Sequence, residues 1–157
     1  MTVPAAPRIP QSCVAPLTGR RVLVTGATGF IGQHVVRALL AGDGIAVRIL
    51  ARSPSRVREV FGPAAELIDV RLGDLTDAVS LGTVCQGVDF VIHSGSAVPY
   101  AFASGAPPGE FARVNIEGTE SLARAALRAG VRRWVQVSST GAMGTPHQAT
   151  VDETTVC

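Results

Sequence analysis

The stretch Thr25-Gly26-Ala27-Thr28-Gly29-Phe30-Ile31-Gly32 holds three glycines at three-residue spacing, between an apolar β-branched run and a segment of helical periodicity. That arrangement suits an anion. Gly26 permits a tight turn with unusual backbone angles, Gly29 lets the main chain approach a pyrophosphate, and Gly32 allows the helix to pack close to the sheet. The main chain at the helix start, running through Thr28, Phe30 and Ile31, then offers amide groups to phosphate oxygens, helped by the helix dipole. A merely structural glycine turn is the plainer alternative, and the flanking strand and helix favour the phosphate. The choice of dinucleotide is set about 20 residues beyond the last glycine, where an acidic side chain would accept from a ribose 2′-hydroxyl. That count leads to Arg52, with Arg56 and Arg58 close by. A guanidinium there pairs with a 2′-phosphate and can stack on adenine, so NADP(H) is favoured over NAD(H). For Arg52 the bland alternative is a solvated strand-end charge.

All 14 basic residues are arginine, and the 157 residues contain no lysine. Any mechanism that needs a Lys ammonium is excluded within this chain. With 46% hydrophobic residues, 17% charged residues and a net charge of +2, the length suits one globular domain. No apolar run approaches the roughly 18 residues of a membrane span, and the N-terminus lacks the charged and apolar regions of a secretory signal. Cys13, Cys85 and Cys157 are odd in number, far apart and form no CxxC pair. This argues against a disulfide framework and against a metal site, and suits a cytoplasmic setting. Cys85 reads as a buried small hydrophobe. The arginines make no basic block with interleaved aromatics, so neither nucleic acid nor a membrane is an expected partner.

These groups need a scaffold. Residues 1–18 carry Pro4, Pro7, Pro10 and Pro16 and no apolar period, and are expected to form a mobile leader ahead of a domain over 19–157. Strands are predicted at Arg21–Thr25, Ala46–Ala51, Glu66–Leu72, Asp89–His93 and Arg133–Ser138. Helices are predicted over Phe30–Ala41, near Ser55–Phe61, over Thr76–Val84 with Thr76 or Asp77 as N-cap, and from about Glu110 to Ala129. Alternating strands and helices imply a parallel sheet covered on both faces. Right-handed crossovers give an α/β doubly wound (Rossmann) sheet of order 3-2-1-4-5.

The spacing TGxxGxxG resembles that of the extended short-chain dehydrogenase/reductases, also described as NAD-dependent epimerase/dehydratases. The likeness runs from Arg21 to about Glu153. Val47–Arg52 is similar to the second strand of NADP-using reductases of that family. The resemblance implies that Asp74 of Gly73-Asp74-Leu75-Thr76-Asp77 accepts from the adenine amino group, and that Leu75 adds a main-chain contact. A helix N-cap is the alternative for this acidic stretch. His93-Ser94-Gly95-Ser96-Ala97 stands where the family has HxAA, which implies that Gly95, Ser96 and Ala97 lie against the cofactor. His93 is expected to be satisfied by backbone partners rather than to act as a base. Val114-Asn115-Ile116-Glu117-Gly118-Thr119 matches VNxxGT, where the Asn bonds main chain beside the active site. Gly118 is expected to pack the helix close to the sheet. Val137-Ser138-Ser139-Thr140 is similar to VSSxx, which implies Ser139, or its neighbour Thr140, as the catalytic hydroxyl.

In the family, a Tyr and a Lys of a YxxxK motif complete the acid/base chemistry. Neither is here: the one tyrosine is Tyr100 and Met143 stands where the family often has a non-catalytic Tyr. The chain is therefore expected to be a reductase's N-terminal half, truncated before the sixth strand and the substrate lobe, and inactive alone. A small-molecule substrate would follow only if a C-terminal half completed it. The competing readings are a non-catalytic dinucleotide sensor and half of a split enzyme. An exposed sheet edge is also expected to favour self-association. Only Ala97–Phe111 could contribute to a substrate pocket, which leaves ketones, aldehydes, nucleotide sugars and hydroxysteroids open.

Overall fold

The computed structural model describes residues 17–97, 109–143 and 152. Cys13, Tyr100, Cys157 and most of the expected leader lie outside them. Strand β1 (Arg21–Thr25) is buried from Val22 onward and takes the centre of the sheet. Helix α1 (Phe30–Leu40) leads to β2 (Ala46–Ala51), and α2 (Pro54–Phe61) to β3 (Ile68–Leu72). Helix α3 (Ala78–Val84) precedes β4 (Phe90–His93), and a composite helix α4, from Glu110 to Arg128, precedes β5 (Arg133–Gln136). All pairings are parallel and the order is β3-β2-β1-β4-β5.

Alternation along the strands divides the core in two, as the period of two requires. Val22, Val24, Val47 and Ile49 pack with Val36 and Leu39 of α1 and with Val57 and Phe61 of α2. Leu23, Leu50 and Val91 point the other way, onto Leu81 and Val84 of α3 and Leu122, Ala125 and Ala126 of α4. Coverage on both faces is why these strands read as continuous apolar runs. Cys85 is buried in the second cluster, where burial pushes its thiol up to about 11 and leaves it inert.

Arg48 breaks the apolar rule in the middle of β2. It is 5% exposed, and its Nε donates to Asp69 Oδ2 at 2.7 Å while Nη1 donates to the Val84 and Gln86 carbonyls at 2.9 and 2.6 Å. The guanidinium thus caps the C-terminal end of α3, where its charge suits the helix dipole. Burial raises the Asp69 carboxyl, but hydrogen bonds from Arg71 and Arg48 outweigh this and hold it below the usual carboxylate range.

Several boundaries differ from expectation: α1 ends at Leu40 rather than Ala41, β4 starts at Phe90 rather than Asp89, and β5 ends at Gln136 rather than Ser138. Glu66 and Leu67 belong to a 3-10 segment, Gly62–Leu67, so β3 starts at Ile68; Gly62 at φ +55° and Pro63 turn the chain there before it can extend. Asp77 alone caps α3, accepting from the Val79 and Ser80 amides, so that helix begins at Ala78. Helix α4 is α-helical over Glu110–Ala112, π-helical over Arg113–Gly118 and α-helical again over Thr119–Arg128. On the face that carries α1, Leu17, Val22, Phe90, Ile92 and Val135 line an apolar groove of about 480 Å³ beside β5.

Candidate functional site: a crevice at the carboxyl edge of the sheet

Register assembles the site. Thr25 pairs with Leu50 on one side and His93 on the other, and His93 pairs with Gln136. The segments after all five strands therefore leave the sheet along one edge, and the order reverses between β1 and β4. A doubly wound sheet opens a crevice at that switch point.

The glycine turn is shaped by contact. Gly26 sits at φ +65°, and a Cβ there would lie 2.6 Å from Gly95 N and from Ser94 C and O. A Cβ on Gly32 would lie 2.2 Å from the Gly26 carbonyl oxygen. Gly32 thus touches the main chain directly after β1, and α1 packs on β1 and β2 through Val36 and Leu39. Gly29 is the N-cap of α1 and spends its amide on the Gly26 carbonyl at 2.9 Å. No side chain caps the first turn and it holds no acidic residue. Phe30 and Ile31 expose their side chains there, and Thr28 is half-buried. A helix start with no capping side chain beside a cradle that a methyl group would fill fits a phosphate ester.

Arg52 follows β2 with its side chain 78% exposed, and its Nη1 lies 3.9 Å from Asp74 Oδ2. Arg56 is turned to Glu59 instead, at 2.5 Å. Asp74 Oδ1 accepts from the Thr76 amide at 2.8 Å and the Thr76 hydroxyl at 2.7 Å. Burial raises this carboxyl, but the Thr76 hydrogen bonds and the nearby Arg52 and Arg113 charges hold it below its ordinary value. Because Asp77 caps α3, Asp74 has no capping duty.

Leu75 is wedged between two glycines. A Cβ on Gly95 would meet Leu75 Cδ1 at 3.0 Å, and one on Gly118 would meet the Leu75 carbonyl oxygen at 3.0 Å. Gly118 therefore packs against the segment after β3 rather than against the sheet, because that segment rises over the sheet edge to meet α4. Asn115, within the π-helical turn, accepts from the Ala97 amide at 2.7 Å and donates to the Ala97 carbonyl at 2.8 Å. Ser96 is exposed and Ala97 buried. After β5, Ser139 is exposed and its Oγ accepts from the Gly141 amide at 3.1 Å. Thr140 opens a 3-10 turn, Thr140–Met143.

His93 departs from expectation. Its ring nitrogens meet hydroxyls, not backbone: Nδ1 lies 2.5 Å from Thr25 Oγ1 and Nε2 lies 2.9 Å from Thr119 Oγ1. The strand-end main chain is already committed to β-pairing, so the buried ring finds partners on neighbouring elements. Burial pushes its pKa down to about 4. Thr25 and Thr119 went unassigned in the sequence, although each adjoins a motif glycine. For Thr25 a hydroxyl beside a strand-end turn is the available signal; Thr119, inside α4, offers none of that kind.

The sequence profile of the NAD dependent epimerase/dehydratase family matches residues 22–156. This chain belongs to that family. The 3 beta-hydroxysteroid dehydrogenase/Delta 5-->4-isomerase of Mycobacterium tuberculosis is 37% identical over 139 residues, which cover 85% of this chain and 36% of the relative. Dihydroflavonol 4-reductase of Zea mays is 36% identical over 126 residues, or 76% of this chain and 34% of that protein. Among solved structures, a short-chain dehydrogenase/reductase superfamily protein from Agrobacterium tumefaciens with bound NAD superposes with a TM-score of 0.70. It is 34% identical, over 86% of this chain and 38% of that one. The chain thus spans little more than a third of the relatives it matches, and their common ground is a NAD(P)-binding Rossmann sheet.

Proposed function

We propose that this chain is the NADP-binding portion of an oxidoreductase of the epimerase/dehydratase family and does not turn over substrate alone. The observation that carries the reading is the crevice itself: a glycine cradle closed to any Cβ, under a helix start with no capping side chain, flanked by Arg52 where an acidic residue would select NAD. When bound, the dinucleotide supplies a hydride to a carbonyl carbon or removes one from an alcohol. The chain's residues position it. The Gly26–Gly32 turn holds the pyrophosphate, Arg52 faces the 2′-phosphate, and Asp74 Oδ2 accepts from the adenine amino group; Arg56, paired with Glu59, would have to turn to join Arg52. Leu75, Gly95, Ser96 and Ala97 form the floor, Asn115 fixes Ala97, and Ser139 or Thr140 offers a hydroxyl to the substrate oxygen. Reductase and dehydrogenase relatives favour alcohol–ketone interconversion as the reaction of the whole protein.

Purified chain is expected to bind NADPH more tightly than NADH with no turnover. Arg52→Asp is expected to weaken NADPH at least about tenfold and bring NADH to parity or better, since it removes a charge-assisted phosphate contact. Equal affinities for both dinucleotides before and after the change would defeat the assignment. The apolar groove beside β5 also supports self-association. Sedimentation velocity at micromolar concentrations is expected to show concentration-dependent dimers or larger species, and a monodisperse monomer would refute this.

A further inference from the structure

His93 sits where three elements of the crevice meet, and nothing in the proposed chemistry uses it. Its side chain is fully buried between Thr25, the last residue of β1, and Thr119 of α4. Thr25 Oγ1 also accepts from the Gly95 amide at 3.3 Å. Gly95 in turn abuts Gly26, whose added Cβ would meet Gly95 N at 2.6 Å. A single chain of hydrogen bonds therefore runs from α4 through the imidazole to the main chain of the glycine cradle.

Proton bookkeeping chooses the tautomer. Thr25 Oγ1 already accepts from Gly95, so its own proton has His93 Nδ1 as the acceptor within reach, and Nδ1 must be unprotonated. Nε2 then carries the hydrogen and donates to Thr119 Oγ1. The opposite tautomer would have Thr25 accept twice and strand its hydroxyl proton in the core, which is costly. Among the described residues no buried side-chain nitrogen or oxygen lacks a partner, in keeping with the first arrangement.

We propose that His93 is a positioning residue: as the Nε2–H tautomer it aims the Thr25 hydroxyl so that its lone pair holds the Gly95 amide, and so fixes Gly26 and Gly95 for the dinucleotide. The proposal rests on the dinucleotide-binding reading for its purpose but not for its geometry. Two substitutions divide the link. The amide of Asn reaches the place of Nδ1 and that of Gln the place of Nε2. His93→Asn keeps the Thr25 contact, and is expected to hold NADPH affinity within about threefold of the parent. His93→Gln keeps only the Thr119 contact, and is expected to weaken NADPH about tenfold and speed Gly95 amide exchange about tenfold. A merely structural role would weaken binding equally in both. Imidazole nitrogen–proton correlation spectra of the unsubstituted chain should show Nδ1 unprotonated. An Nδ1–H tautomer, equal weakening in the two variants, or unchanged Gly95 exchange in His93→Gln would overturn the proposal. If the parent chain binds neither NADPH nor NADH, the functional reading falls. The tautomer and the Gly95 exchange still decide the role of His93.

Discussion

Gly32→Ala should abolish measurable dinucleotide binding and lower stability by about 3 kcal/mol, the upper range for forcing an atom into packed main chain. The added Cβ would lie 2.2 Å from Gly26 O, 2.7 Å from Gly26 C and 2.8 Å from Ala27 Cα. All three are backbone atoms, so no side chain can rotate away and the turn itself must move. Gly26→Ala should behave alike for a second reason, because φ +65° strains any residue with a Cβ even before it meets Ser94 and Gly95. A loss of about 3 kcal/mol corresponds to about a hundredfold in binding if the whole displacement falls on the phosphate cradle. Gly82 is the internal control. It lies within α3 with nothing inside 4 Å of an added Cβ, so Gly82→Ala should stabilise the chain by about 0.5–1 kcal/mol. Urea unfolding and NADPH titration of the three variants test this, and an NADPH-binding Gly32→Ala chain of parental stability would sink it.

The second large effect is on pH. His93 carries a folded pKa of about 4 against 6.5 when free, and its neighbours are two hydroxyls and the Trp134 ring rather than a charge. Between those values the unfolded chain binds a proton that the folded chain refuses. Stability from this group is therefore complete above about pH 6.5 and is lost as pH falls toward 4, in total on the order of 3 kcal/mol. Asp69 and Asp74 titrate below the usual carboxylate range, so their loss falls in a more acidic window. The urea midpoint of the parent chain should drop through this interval, while His93→Asn should stay nearly flat. Parallel slopes in the two chains would falsify the prediction.

How much of this was legible depended on the range of the interaction. The strands at Arg21–Thr25 and Ala46–Ala51 are readable to the residue, because two-sided burial leaves short runs rich in Val, Leu and Ile, broken only by Arg48, between glycines or polar ends. The strand order follows from right-handed crossovers taken together with a dinucleotide-type glycine turn after the first strand. What stayed hidden was contact between distant segments. Arg48 carries no local signal of its role, since its three acceptors lie 21, 36 and 38 positions away. The π-helical turn around Asn115 was invisible because a one-residue expansion leaves the apolar periodicity helical on either side. His93 was read from its strand-end position, whereas its partners are 68 and 26 residues distant. Gly118 announces close approach correctly in kind but not in target, since it meets Leu75 rather than the sheet. A missing Cβ marks a tight contact without saying what lies opposite.

One pairing in the core makes all of this observable by light. Trp134 is the single tryptophan of the chain, and its ring centroid lies 5.4 Å from that of His93. The indole is therefore a built-in optical reporter, uncontaminated by other tryptophans. Its emission comes from β5, next to the imidazole that links the cradle to α4. A charge appearing on that ring, or a shift of β5 against β4, alters the environment of one fluorophore rather than the average of several. The same stopped-flow trace can thus follow protonation of the junction, arrival of a nucleotide and loss of the edge strand, without a label or an added mutation.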